Sequence, residues 1–296
     1  MSSSEVLDRL ASKSDEFSSY CASDMAELCN ALLTNFRNRE HEWSDAGNWR
    51  AKEISLFRLY EKDKTPSGTI PLVLSQSKQL ISATMSKFIS TCVESYEYEA
   101  GKSTKKPQFL EKEKNVKMED GSDRSYSTYG PLSVGVPYTS FELHTLPTKE
   151  EQASVDIKSK TGSITVILGA GNQPQLSLFD VLQRTLVHRE VVFLKHHPLR
   201  PHLIALYTIL LEPLIKRGFL HQILDSGIPE TTKILSHKSI GHVHMTGSLA
   251  TDKAVRTLIS KVKPHLSQSE VDGMVSSELG ACTPCIFSDG KYTEKE

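Results

Sequence analysis

The chain has 296 residues, with 35 Lys+Arg against 36 Asp+Glu and a formal net charge of −1. That length suits one large domain or two modest ones. A balance so near zero gives no overall field to attract DNA, RNA or an anionic membrane, which excludes binders that rely on bulk basicity.

The opening, Met1 to Asp8, has neither a basic n-region nor an apolar h-region, so no secretory signal is expected. No window approaches the ~18 consecutive apolar residues of a membrane span. From Val6 to Arg39 the apolar positions Leu7, Leu10, Phe17, Met25, Leu28, Leu32 and Phe36 fall near helical spacing, predicting one or two amphipathic helices. Further helices are predicted over Trp49 to Tyr60 and over Lys78 to Tyr98, with Thr65 to Gly68 as a turn between them. Gly101 to Ser127 is dense in charge, and Phe109, Leu110, Val116 and Met118 are almost its only apolar residues. Such a stretch buries too little to offset chain entropy and predicts a solvated excursion or linker. The expected organisation is an amino-terminal helical region over 1–127, ending in that linker, and a second portion over 128–296.

The second portion reads differently. Ser163 to Leu168 is a β-branched run ending in Gly169-Ala170-Gly171, which predicts a buried strand and a turn. A helix follows with Leu178, Val181, Leu182 and Leu186 on one face, then a second buried strand at Val191 to Leu194. One long helix is predicted from Pro201 to Arg217, closed by Gly218. Leu220 to Leu224 is a third strand, Ile234 and Leu235 belong to a short helix, and His242 to Met245 is a fourth strand. Thr246-Gly247-Ser248 then opens a helix bearing Ala254, Val255, Leu258, Ile259 and Val262. Strands alternating with helices predict an α/β fold: a doubly wound parallel sheet preceded by amphipathic helices. Ligands of such sheets bind beyond the carboxyl ends of the strands, which singles out Asn172, Lys195, Gly247 and Ser248.

Each of these residues also has an ordinary reading. The turn at Gly169 to Asn172 is a common strand-to-helix corner, but it also sets an amide beside backbone N–H groups able to hold an anion. Lys195 is a solvated strand-end charge or a donor to ribose or phosphate. Thr246-Gly247-Ser248 is a capping pattern, or a phosphate site in which glycine permits close approach and the helix dipole favours the charge.

Taken in order, four segments are more specific than their parts: Gly169 to Asn172 (GAGN), Leu194 to Pro198 (LKHHP), Val243 to Ser248 (VHMTGS) and Glu278 to Pro284 (ELGACTP). In these the sequence resembles the aldehyde dehydrogenase superfamily over roughly Tyr129 to Ile286, as its amino-terminal, cofactor-binding portion. The resemblance implies a Rossmann-like sheet and NAD or NADP as cofactor. It implies that Asn172 donates its amide to the oxyanion of a thiohemiacetal and that Glu278 is the base activating the deacylating water. Lys195 would bind the adenosine ribose, Gly247 and Ser248 the pyrophosphate, and Leu279 would lie near the nicotinamide. An aldehyde is the implied substrate, with neither nucleic acid nor membrane as partner and a homo-oligomer expected for a full-length form.

Three departures stand against the family pattern. Pro198 occupies the position where many members carry a ribose-binding Glu, so the acidic discriminator against a 2′-phosphate is missing. Ala281 replaces the second Gly of Glu-Leu-Gly-Gly. The nucleophilic cysteine, which in the family follows the Glu by several tens of residues, is absent, so the chain is expected to be truncated or incomplete and inactive alone. The other readings are a catalytically dead nucleotide-binding module and a relative of acyl-CoA reductases.

The five cysteines, Cys21, Cys29, Cys92, Cys282 and Cys285, are few, odd in number and scattered, which predicts a reducing compartment and a cytoplasmic protein. Cys282-Thr-Pro-Cys285 has redox spacing but is expected to lead into a strand over Pro284 to Phe287 rather than to open a helix. His196 and His197 are adjacent, and His242 and His244 share a strand face with no cysteine or carboxylate cluster near them in sequence. They read as polar strand-end residues, and no metal site is expected.

Overall fold

A computed structural model describes residues 3–60, 78–105, 112–117, 123–133, 140–145 and 163–280. The turn expected at Thr65 to Gly68 lies outside them, as do Ala281, Cys282, Cys285 and the strand expected over Pro284 to Phe287. The amino-terminal helices are α1 (Ser3–Ser18), α2 (Ala22–Asn38), α3 (Glu40–Asp45), α4 (Trp49–Tyr60) and, after a π-helical turn at Leu80–Met85, α5 (Ser86–Glu99). In the charged stretch, where a solvated excursion or linker was expected, β1 (Lys112–Lys117) lies and β2 (Asp123–Ser133) begins, and the two form a three-stranded antiparallel sheet with β3 (Ser140–Thr145).

The remaining elements alternate: β4 (Ile164–Leu168), α6 (Leu176–Leu182), β5 (Val191–His196), α7 (Leu203–Leu210), α8 (Glu212–Arg217), β6 (Leu220–Leu224), α9 (Ile228–Leu235), β7 (Ile240–Gly247), α10 (Leu249–Val262), α11 (Gln268–Met274) and β8 (Val275–Leu279). All five strands from β4 to β8 are parallel, in the order β6-β5-β4-β7-β8. The chain runs outward from β4 through β5 to β6, then returns to lay β7 and β8 on the other side of β4. The order therefore reverses at β4, and the crevice between β4 and β7 is the switch point where such sheets take ligands.

The expected fold class is the observed one, with two local differences. The predicted helix over Pro201 to Arg217 is two helices. Leu211 leaves helical geometry (φ −102°, ψ 15°), and Pro213, which has no N–H to give, sits in the first turn of α8. The stretch after α10 holds α11 and β8, which no apolar run announced. Gly218 closes α8 with φ 78°, and the Phe219 N–H reaches back to the Leu214 carbonyl at 3.0 Å.

Helices α1 and α2 share the core of the parallel sheet. The former packs over β4, β5 and β6 beside α9, while the latter packs against α5, α7 and α8. Phe17 of α1 stacks on Phe219, just before β6, with ring centroids 4.2 Å apart, and Ser14 Oγ donates to the Ser163 carbonyl at 2.9 Å. Trp43 and Trp49 are buried with their indole N–H groups satisfied by the Phe36 and Trp43 carbonyls. The hydrogen bond with Cys92 of α5, with burial adding to it, pushes the pKa of the Cys29 thiol of α2 up, and both are free thiols.

Candidate functional site

At the carboxyl ends of β4, β7 and β8 a cleft of about 620 Å³ opens. Its walls come from three segments far apart in sequence: Gly171, Asn172 and Leu176 after β4, Thr246 to Leu249 after β7, and Glu278 to Gly280 at the end of β8. Five of the residues singled out in the sequence, Asn172, Gly247, Ser248, Glu278 and Leu279, thus line one space. Parallel pairing sets Thr246 opposite Glu278 and Gly247 opposite Leu279, so the two segments arrive in register. Ser248 is the N-cap of α10, its Oγ accepting from the Thr251 N–H at 3.1 Å, which places the positive end of a 14-residue helix at the cleft. At Gly247 a Cβ would come within 2.9 Å of Met245 Cε, so the absence of a side chain there keeps the cleft wall close to backbone.

Lys195 and Pro198 are not among the residues lining this cleft. Lys195, at the end of β5, is buried, and its Nζ lies 2.7 Å from Asp225 Oδ2 and donates to Thr231 Oγ1 at 2.7 Å. Burial alone would raise the Asp225 pKa, but the hydrogen bonds from Lys195 and the Gly227 N–H hold it below the ordinary carboxylate value. Pro198 sits exposed in the turn after β5. Asp225 thus places an acidic group beside Lys195 from the next strand. Sequence reading missed it because strand adjacency, not chain order, brings the two together.

A second set of polar groups lies on the sheet face covered by α6. His242 and His244 of β7 sit opposite Ser276 and its neighbours on β8, and Asp180 and Arg184 descend from α6 and the π-helical turn after it. Ser276 Oγ lies 2.7 Å from Arg184 Nη2, 2.8 Å from His242 Nε2 and 2.8 Å from His244 Nδ1. His244 Nε2 in turn faces Asp180 Oδ1 at 3.3 Å. The carboxylates that sequence spacing did not place near these histidines are thus supplied by the fold. The available signal was the alternation His242, His244, Thr246 along a strand that should bury apolar residues on that face.

No protein-family model matches the chain. Over 129 residues, 44% of the chain, it is 28% identical to the dimeric NADP-preferring aldehyde dehydrogenase of Mus musculus, of which the match spans 26%. Among solved structures, HpcC from Thermus thermophilus matches 94% of the chain and 41% of its own length, with a TM-score of 0.51 and 12% identity. Gox0499, described in terms of its cofactor and substrate selection, matches 93% of the chain and 45% of its own length, with a TM-score of 0.50 and 16% identity. The chain therefore spans about a quarter of its curated relative and less than half of these solved chains.

Fold and cleft define a doubly wound, Rossmann-like α/β protein with an open cleft at the sheet's switch point. In sequence the chain is similar, over less than half of its length, to an aldehyde dehydrogenase, and its likeness to the solved structures is one of fold.

Proposed function

We propose that the chain is the dinucleotide-binding portion of an aldehyde dehydrogenase-like oxidoreductase and binds NAD or NADP in the cleft between β4, β7 and β8. The observation that carries this reading is the convergence of Asn172, Gly247, Ser248, Glu278 and Leu279 on one cleft. The fit to a dinucleotide is uneven along its length. Around the pyrophosphate position the residues suit it: Gly247 leaves backbone accessible, α10 presents its positive end, and the buried Thr246 Oγ1 has no hydrogen-bond partner. Large apolar side chains stand exposed at the helix starts beside the carboxyl edge, Ile228 at 76% and Leu249 at 56%, as suits the flat face of a base. At the ribose position Lys195 already serves Asp225 and Thr231, so a ribose hydroxyl would share that pair rather than meet a free cation.

In this reading the bound coenzyme supplies the hydride acceptor. Asn172 is exposed in the turn before α6, where its amide can donate to an oxyanion, and Glu278 stands at the cleft mouth as a base for water. Among the described residues no cysteine lines the cleft, so the attacking thiolate of the family's reaction has no counterpart there. Binding without aldehyde turnover by these residues alone is the consequence, and a nucleotide-binding module without catalysis would share it. Titration of the protein with NAD and NADP, followed by coenzyme fluorescence, should saturate at one equivalent. An aldehyde assay of the same sample should show no product. Absence of binding to either coenzyme removes this reading.

A further inference from the structure

We infer that Asp180, His244 and Glu278 form a binding site for one divalent transition-metal ion, of the zinc class, beside the cleft, where Glu278 would ligate the ion in place of the base role given to it above. One ligand atom from each lies within 4.8 Å of the others, and the three come from different elements: α6, β7 and β8. Two of the three are deeply buried, Asp180 at 3% and His244 at 5% exposure. Their outstanding atoms, Asp180 Oδ2 and His244 Nε2, have no hydrogen-bond partner. A carboxylate taken out of water with an open lone pair costs several kcal/mol unless something cationic meets it, so a fold that leaves one there has left room for a cation.

The spacing favours a metal over a direct hydrogen bond. His244 Nε2 and Asp180 Oδ1 stand 3.3 Å apart without hydrogen-bond geometry, whereas a charge-assisted N–H···O bond closes to about 2.7–2.9 Å. Two donors each about 2.0 Å from a tetrahedral zinc ion are about 3.3 Å from one another.

The neighbours admit the tautomer that ligation needs. Arg184 can only donate, and it lies 2.7 Å from both His242 Nε2 and Ser276 Oγ, so both accept from it. Ser276 Oγ keeps a second lone pair, with which it can accept the Nδ1–H of His244 at 2.8 Å. In that tautomer the lone pair of His244 is on Nε2, the atom facing Asp180. A ligating histidine whose other nitrogen is fixed by a neighbour is the usual arrangement around protein-bound metals. One imidazole and two carboxylates suit zinc or manganese better than the all-oxygen cations, and three protein ligands leave a coordination position toward the cleft.

The site needs no coenzyme, so its test is separate from that of the proposed function. Zn²⁺ alone, titrated calorimetrically into the chelator-treated full chain, should bind at one equivalent per chain at this site and raise its unfolding temperature. Mg²⁺ and Ca²⁺ should do neither at equal concentration. Asp180→Asn and Glu278→Gln should each weaken Zn²⁺ by at least tenfold, and Ser276→Ala by about 10- to 100-fold through loss of the ring's orientation. Glu278 is exposed at a strand end, so its variant folds whatever befalls the buried ones. Failure of the parent chain to bind Zn²⁺, or binding that Glu278→Gln leaves unchanged, overturns the assignment.

Discussion

The two flanks of the parallel sheet's carboxyl edge hold their charges differently. On the β5 and β6 side the buried charges meet opposite ones in close contact: Lys195 meets Asp225 and Thr231, Arg200 the Glu53 carboxylate of α4, and Glu53 also His202 at 2.7 Å, although Arg200 Nη1 has no hydrogen-bond partner. On the β7 and β8 side His244 and Asp180 stand 3.3 Å apart, and Asp180 Oδ2, His244 Nε2 and Thr246 Oγ1 are buried without hydrogen-bond partners. Buried polar groups are costly to leave open, so the looser flank is the better candidate for something bound. Placement of a charge at a strand end does not distinguish these roles. The closeness of its partners does.

That contrast can be broken most forcefully at Glu53. Removing it as Glu53→Ala strands Arg200, whose side chain is 5% exposed, and should cost about 3–5 kcal/mol in urea unfolding. On the opposite flank Asp180→Asn should cost under about 1 kcal/mol in metal-free protein, or stabilise it, because the amide keeps the shape and removes a buried carboxylate whose Oδ2 has no hydrogen-bond partner. Equal losses at the two positions would erase the distinction.

Acid should reveal the same flank next. Burial lowers the His196 pKa to about 4 from 6.5, against the Gln222 hydrogen bond that favours the charged form. The unfolded chain takes up this proton near pH 6.5 and the folded chain only near 4. Stability therefore falls as pH drops between those values, by about 1.4 kcal/mol per pH unit and about 3 kcal/mol in all. His188, His197 and His221 are shifted the same way by burial and add to the slope. For Glu53, burial raises the pKa but the bonds from His202 and Arg200 lower it further, so its contribution is present above pH 4.5 and lost only as pH falls through the lowered value. Urea midpoints measured from pH 7.5 to 4 should show the decline, and His196→Gln should flatten it. A pH-independent midpoint would contradict the burial of these rings.

Much of this edge was legible in the sequence, for physical reasons that also explain the rest. β4 throughout and β5 as far as Leu194 are β-branched or apolar because both faces of a central parallel strand are covered, and such runs stand out without alignment. Gly218 marked a helix end because its left-handed φ is one that side chains resist. Strand β8, Val-Ser-Ser-Glu-Leu, has no such run: it is the edge strand, and its Ser276 meets His242 and His244. Asn172, Gly247 and Ser248 were readable because they close predicted strands, whereas Glu278 and Leu279, on a strand not predicted, came only from the resemblance. Asp180 was not, since a single acid on an apolar helix face announces nothing until β7 brings His244 beneath it.

Ser248 gives the finest test, because its hydroxyl serves the helix as well as the proposed ligand. Its Oγ accepts the Thr251 N–H and lies 2.9 Å from Thr251 Oγ1. Ser248→Ala should cost about 1 kcal/mol of stability and Ser248→Gly only a few tenths, the difference being the cap alone. Ser248→Asp keeps the cap and adds favourable charge at a helix start, so its stability should match or exceed that of the parent. It also sets a carboxylate where the pyrophosphate would lie, and coenzyme titration should then fail in a well-folded protein. If the Asp variant binds NAD or NADP as the parent does, the dinucleotide does not use this helix end, and the role of Ser248 ends with capping α10.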